Sequence, residues 1–261
     1  VGRVHDPGFD LLFCMYRSVL AQHPEAKIVL LTDFATKVPR SSLPLVVQRH
    51  PVRWNNLMLD RTRAQLRCLS NLPEGVQAAF LDSDMLLLRP LFPLPDTGFD
   101  IALTWRPSAD MPINGGLILV DTIRKEQVTR FFSGFLDVYQ YQYADQSNWF
   151  GDQRAIRDWI GVGYREMERA SKMKINDCTV LFLKCDQYNF SPDPRSYDWT
   201  GSPEGLHLLH FKGDLKRFML PYWRAIVRPQ SGNPVGALRR HLGHRQLLRL
   251  QGQTQQAVIQ E

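Results

Sequence analysis

The chain has 261 residues, of which 44% are hydrophobic, enough for one large core or a core with a small appendage. Its net charge is +6, and the stretch from Gly236 onward, with four Arg against one Glu, carries half of that excess. The mildly basic remainder has no Lys/Arg block interleaved with aromatics, which argues against a nucleic-acid-binding class, and no run of about 18 uncharged apolar residues reads as a membrane-spanning helix.

Four scattered cysteines, Cys14, Cys68, Cys178 and Cys185, make no disulfide framework, and Cys178 and Cys185 are too far apart for a CxxC pair. Buried free thiols in a reducing compartment are expected, hence a soluble, cytoplasmic protein. The chain opens on Val1 rather than Met, and VGRVHDPGFD reads as a loop, so an original N-terminus and any targeting peptide on it are expected to be absent.

In chain order, Phe9, Leu12, Phe13, Tyr16, Val19 and Leu20 recur at helical spacing, and Pro24 closes that segment. KIVLLTD (27–33) is a nearly continuous apolar run, as in a strand buried on both faces of a parallel sheet. A helix from Leu59 to Leu72 ends in turn chemistry between Asn71 and Gly75. Strands follow at VQAAFLD (76–82), DIALTW (100–105) and NGGLILVD (114–121), then helices over Thr122–Tyr141 and Asp152–Ile160, and strands at CTVLFLK (178–184) and LHLLHF (206–211). Between Asp186 and Gly205, Pro192, Pro194, Gly201 and Pro203 mark either an ordered loop over a site or a surface connection. Alternating strands and helices predict an α/β fold with a mainly parallel central sheet and flanking helices, binding ligands beyond the carboxyl ends of its strands.

The expected organisation is one domain over residues 1–230 and a basic C-terminal helical tail over 231–261. In VGALRRHLGHRQLLRL (235–250), Val235, Leu238 and Leu242 form a short stripe with Arg239, Arg240, Arg245 and Arg249 interspersed. This segment either lies on an anionic membrane surface or packs on the domain with a solvated basic face, and the tail from Gln251 is expected to fray.

FLDSDMLLLR (80–89) places Asp82 and Asp84 around Ser83 at a predicted strand end. In a straight strand, residues two apart share a face about 7 Å apart at the backbone, close enough to converge on one cation, with Ser83 directed to the other face. Two unpaired anions there would repel each other. A hard divalent ion removes that penalty, and Mg²⁺ or Mn²⁺ usually shares its shell with substrate phosphates. The alternative is a turn, since Asp and Ser favour strand ends for local hydrogen bonding.

Downstream, Asn114, Gly115 and Gly116 open a strand, where small residues let a ligand approach the backbone or mark a tight turn. Asp152 and Gln153 open a helix, where Asp152 is either functional or an N-cap. HLLHFKGDLKR offers His210, Gly213 and Lys216, a metal-ligand type, a small residue and a phosphate-binding cation, or else a core histidine and a solvated loop.

In this order, Asp82-Ser83-Asp84, Asn114-Gly115-Gly116, Asp152-Gln153 and His210-x-x-Gly213-x-x-Lys216 resemble the motifs of the retaining glycosyltransferases of the glycogenin and lipooligosaccharide galactosyltransferase family, glycosyltransferase family 8. The likeness extends from about Lys27 to Lys216 and implies the nucleotide-sugar-binding fold called GT-A. It implies that Asp82, Asp84 and His210 hold Mn²⁺ or Mg²⁺, which grips the diphosphate of a UDP-sugar, and that Gly213 and Lys216 contact the phosphates. A basic residue on the helix before the DxD strand commonly helps to bind the donor in this family, with Arg63 the first candidate and Arg61 or Arg67 the others. Asp152 and Gln153 are implied beside the sugar.

Two features depart from the pattern: the uridine-binding strand that normally opens the family is shortened or missing, and no family signature is legible between Ala35 and Asn56. The aromatics Tyr139, Tyr141, Tyr143, Trp149 and Phe150 ahead of Asp152 serve either an acceptor sugar or the core. Other readings are a non-catalytic nucleotide-sugar-binding relative and a DxD phosphatase. The latter is disfavoured by Leu86, which stands where that motif has Thr or Val, and sugar-nucleotide synthesis is disfavoured by the lack of a Gly-rich, basic N-terminal loop.

Overall fold

The computed structural model describes residues 7–38, 45–94, 96–144, 150–201, 203–227 and 234–259. The first half of the chain carries α1 (Pro7–Gln22), β1 (Ile28–Thr32), β2 (Leu45–Arg49), α2 (Leu57–Asn71), β3 (Gln77–Leu81), β4 (Met85–Leu87), β5 (Ile101–Trp105) and β6 (Ile113–Asp121). It continues with α3 (Lys125–Val138), α4 (Gly151–Ile160), α5 (Tyr164–Arg169), β7 (Lys172–Ile175), β8 (Cys178–Lys184), α6 (Cys185–Tyr188), β9 (Leu208–His210), α7 (Lys216–Tyr222) and α8 (Pro234–Ile259). Two compact units divide the chain: Lys27–Leu81 with Leu94–Cys185, and Val1–Ala26 with Asp82–Pro93 and Asp186–Glu261.

The first of these units is built on a five-stranded sheet of order β3-β6-β5-β8-β7, with β1 and β2 as a separate parallel pair. Period-two alternation sends Ile101, Leu103 and Trp105 of β5, Ile118 and Val120 of β6, and Val180 and Phe182 of β8 into one core cluster. The apolar stripe Val128, Phe131, Phe132 and Phe135 of α3 joins that cluster, as do Ala155, Ile156 and Ile160 of α4. Full burial of each large side chain is worth about 1.5–3 kcal/mol relative to exposure. Gly134 lets α3 and α4 approach: a Cβ there would lie 2.2 Å from the Trp159 ring.

The α/β class with flanking helices is as expected, but the sheet is not mainly parallel. Only β5 and β8 pair in parallel, while β6 runs antiparallel to both β3 and β5, and β7 antiparallel to β8. The reason is connection length: residues 106–112 between β5 and β6 are too few for a crossover, which needs about a dozen or more, so the chain must turn back. Asn176 and Asp177 close the β7–β8 hairpin with φ of +48° and +64°, the left-handed pair that a two-residue hairpin turn requires.

In the other unit, β4 and β9 pair antiparallel, and Phe190 adds a parallel bridge to Leu209. The backbone N–H of Leu87 donates to Ser18 Oγ, tying β4 to α1. Trp199 stacks on Phe218 at 4.4 Å between centroids and contacts Phe211 and Tyr222, forming an aromatic core. α8 lies against α7 through Gly243, where a Cβ would come within 3.0 Å of the Pro221 carbonyl.

Instead of fraying from Gln251, α8 continues to Ile259, consistent with the good helix propensity of its Gln and Ala residues. Leu247 is buried, whereas His241, Leu242, Arg245, Leu248 and Arg249 are exposed on one side. The side chains of Val235, Leu238 and Arg239 lie outside the described residues, as do Trp149, residues 39–44 of the region without family signature, and residues 1–6, where the shortened opening strand is at issue. The cysteines are free thiols; burial pushes the Cys14 thiol up to about 12 and the Cys178 thiol to about 11. No helix among the described residues is long and apolar enough to cross a membrane.

Candidate active site

Asp82 and Asp84 do not lie in a straight strand. β3 ends at Leu81, Ser83 and Asp84 form a turn, and β4 begins at Met85, so both the turn and the convergence of carboxylates are realised at once. The turn, rather than strand alternation, brings the carboxylates together; Ser83 is exposed and Asp84 buried.

The pairing of β4 with β9 sets Met85 opposite His210, and the N–H of Phe211 donates to the Asp84 carbonyl at 2.8 Å. His210 Nε2 thereby lies 3.2 Å from Asp84 Oδ1 and 3.7 Å from Asp82 Oδ2, and Lys216 Nζ lies 3.3 Å from Asp84 Oδ2. One ligand atom from each of Asp82, Asp84 and His210 falls within 4.8 Å of the others. Two carboxylate oxygens and an imidazole nitrogen suit Mn²⁺ or Mg²⁺, so the residues fit the ion that the motif implies. Burial works against the charged form of the Asp84 carboxyl, but the hydrogen bond and charge of His210 and the charge of Lys216 outweigh it, leaving its pKa below the ordinary value. Gly213, at φ +52°, occupies the left-handed region in the turn that leads into α7 and so to Lys216.

Asn114, Gly115, Gly116, Asp152 and Gln153 come together in the other unit. The register of β6 on β5 jumps from Ile118 opposite Leu103 to Asn114 opposite Thr104, so the two glycines lie in a bulge. Asn114 is buried, and its Oδ1 accepts from the Gly116 N–H at 3.2 Å. Asp152 is 3% exposed in the first turn of α4; the N-cap position belongs to Phe150, so capping is not its role.

Arg61 Nη2 donates to Asp152 Oδ2 at 2.9 Å and to the Gly115 carbonyl at 3.0 Å. Gly115 permits this: a Cβ there would lie 2.8 Å from Asp152 Oδ2. Gln153 Oε1 accepts from Arg106 Nη2 at 3.3 Å. Tyr139 packs beside this cluster, where a Cβ on Gly151 would lie 2.6 Å from its ring, and burial together with the charge of Asp152 pushes its phenol up to about 12.

Among the basic residues of α2, Arg63 donates to Asp60 Oδ1 at 2.8 Å and to Gln140 Oε1 at 2.6 Å, Arg67 is exposed, and Arg61 is the one held against Asp152. The aromatics ahead of α4 separate by environment: Tyr139 is core, Tyr143 donates to Asp158, and Tyr141 and Phe150 are exposed. Sequence reasoning did not single out Asn189, whose Oδ1 lies 2.8 Å from His210 Nδ1, because nothing in a turn-rich segment marks one Asn as the neighbour of a distant strand. Arg106 was missed for the same reason. Arg61 was legible only as one of three basic residues on a helix face.

No family model matches the chain, and no curated protein does so either. Solved structures do. The galactosyltransferase LgtC, in complex with donor and acceptor sugar analogs, is matched at TM-score 0.50 and 13% identity over 92% of this chain and 93% of its own. The glycosyltransferase GlyE of Streptococcus pneumoniae TIGR4 is matched at TM-score 0.52 and 13% identity over 82% of this chain. The bifunctional glycosyltransferase WbbM is matched at TM-score 0.52 and 12% identity over 92% of this chain. The chain spans 58% of the GlyE length and 53% of the WbbM length. At such identities the likeness concerns the fold, and the chain has the α/β GT-A fold of these glycosyltransferases.

Proposed function

We propose that the protein is a metal-dependent glycosyltransferase that moves a hexosyl group from a nucleotide-sugar donor, a UDP-sugar, to an acceptor hydroxyl with retention of configuration. The observation that carries this reading is the convergence of Asp82, Asp84 and His210, with Lys216 beside Asp84. Asp82, Asp84 and His210 would hold Mn²⁺ or Mg²⁺, which when bound supplies Lewis-acid stabilisation of the diphosphate leaving group. Lys216 adds a point charge to the departing phosphates, and Gly213 leaves its backbone open to them. Asp152, paired with Arg61, and Gln153, oriented by Arg106, are assigned to the sugar, where an anionic or amide oxygen stabilises positive charge at the anomeric carbon. The contacts of Arg61 with Asp152 and the Gly115 carbonyl, residues assigned to the donor, favour Arg61 over Arg63 as the basic residue on the donor side; Arg63 instead meets Asp60 and Gln140.

The exposed face of α8, with Arg245, Arg249, Leu242 and Leu248, supports a peripheral contact with an anionic membrane surface, which would suit a lipid-linked acceptor.

A panel of nucleotide sugars, each with and without Mn²⁺, tests the reading by thermal stabilisation and by product formation. A UDP-sugar is expected to raise the melting temperature only with the ion present, by about 2.7 kcal/mol equivalent at 100 times its Kd. Asp84→Ala is expected to lower turnover by about 10²–10³-fold with the fold intact by circular dichroism. Full activity in that variant removes the metal assignment, and binding without transfer to any acceptor or to water points to a non-catalytic sugar-nucleotide-binding protein.

A further inference from the structure

The chemistry of the centre depends on which nitrogen of His210 carries the proton, and a residue outside the motifs decides it. The segment Gln187–Phe190 runs beside β9 through three backbone hydrogen bonds: His207 N–H to Gln187 O at 2.7 Å, Phe190 N–H to Leu208 O at 3.1 Å, and His210 N–H to Phe190 O at 2.8 Å. This ladder places Asn189 next to the imidazole, with Oδ1 2.8 Å from Nδ1. Both side chains are buried, Asn189 1% and His210 4% exposed. An amide oxygen only accepts, so Nδ1 must hold the proton. In the neutral ring the lone pair then sits on Nε2, the nitrogen turned toward Asp84 and Asp82.

We infer that Asn189 is a positioning residue of the metal centre: it fixes the Nδ1–H tautomer and the ring orientation of His210, so that Nε2 is the ligand atom. The inference rests on the metal-dependent reading above. Acceptors that take the far N–H of a ligating histidine in this way orient its ring, and their removal typically costs 10–100-fold in metal affinity. A neutral amide does this without adding a third negative charge beside Asp82 and Asp84. A carboxylate at the same position accepts the same proton, so Asn189→Asp keeps the interaction, whereas Asn189→Leu, of similar volume, removes it.

The test uses the full chain and the metal alone. Mn²⁺ titration followed by electron paramagnetic resonance is expected to give a Kd about 10–100-fold weaker for Asn189→Leu than for the wild type, with Asn189→Asp restored to within a few-fold. Equal Mn²⁺ affinity in wild type and Asn189→Leu overturns the inference while leaving the metal reading standing; a wild type that binds no Mn²⁺ overturns both. Because Asn189→Leu is a buried change, a second readout needs no variant. In Co²⁺-loaded wild type, the Nδ1–H of His210 is expected as a paramagnetically shifted, slowly exchanging proton resonance. Its absence, with Co²⁺ bound, overturns the inference.

Discussion

Gly115 illustrates how a single missing Cβ shapes the cluster around Asp152. The sequence marks it as a small residue before a strand; the structure adds that its place is needed by the Arg61–Asp152 pair. Gly115→Ala is therefore expected to cost about 1–3 kcal/mol of stability by urea unfolding and to lower turnover, because the 2.8 Å contact with Asp152 Oδ2 displaces a buried carboxylate. A second residue-scale outcome concerns pH. His23 Nε2 accepts from the Leu91 N–H at 2.9 Å in the loop after β4, and burial holds its imidazole below the ordinary value of 6.5. The unfolded chain thus takes up the proton at higher pH than the folded one. The stability contributed is full above about 6.5 and is lost as pH falls through the lower, folded value. Protonated Nε2 donates and no longer accepts, so the amide-exchange protection of Leu91, corrected for intrinsic rate, is expected to drop between pH 7 and 5. His23→Gln, with a non-titrating acceptor, is expected to flatten that drop; an unchanged profile would assign it to another group.

Elements were legible where one period dominated. β1, β3, β5, β6, β8 and β9 and helices α1, α2, α3 and α4 all lie within the expected stretches or extend a few residues beyond them, because their apolar patterns run for several residues without interruption. The three-residue β4, the edge strands β2 and β7 and the six- and seven-residue helices α5 and α7 gave too few positions for a period to register. Strand direction was misread where two short connections, residues 106–112 and Asn176-Asp177, force hairpins. Packing between elements carries its own prediction. Gly134→Ala drives a Cβ into the Trp159 ring, and α3 and α4 must separate or Trp159 must leave its site, which is expected to cost at least about 1–3 kcal/mol by chemical denaturation. A Trp159→Ala partner substitution is expected to recover part of that loss, as coupled neighbours do.

At the scale of the whole molecule, charge and segment order carry most of the reading. The basic excess of the last helix ends on an exposed face that holds Arg245 and Arg249 between Leu242 and Leu248. Reversing both charges with Arg245→Glu and Arg249→Glu is expected to weaken sedimentation with phosphatidylserine vesicles by at least about 10-fold, at roughly 1 kcal/mol per basic residue, with no change on neutral vesicles. Equal binding of the double variant would return that face to a solvated role. The four motifs in their order, and the α/β alternation around them, were present in the residue string because each depends on neighbours a few positions apart. The pairing of β4 with β9, the contact of Arg61 with Asp152, and the meeting of Asn189 with His210 came only from the tertiary structure. Each joins residues distant along the chain, and which distant partners meet is decided by sheet register and helix packing, whose energies no local pattern records.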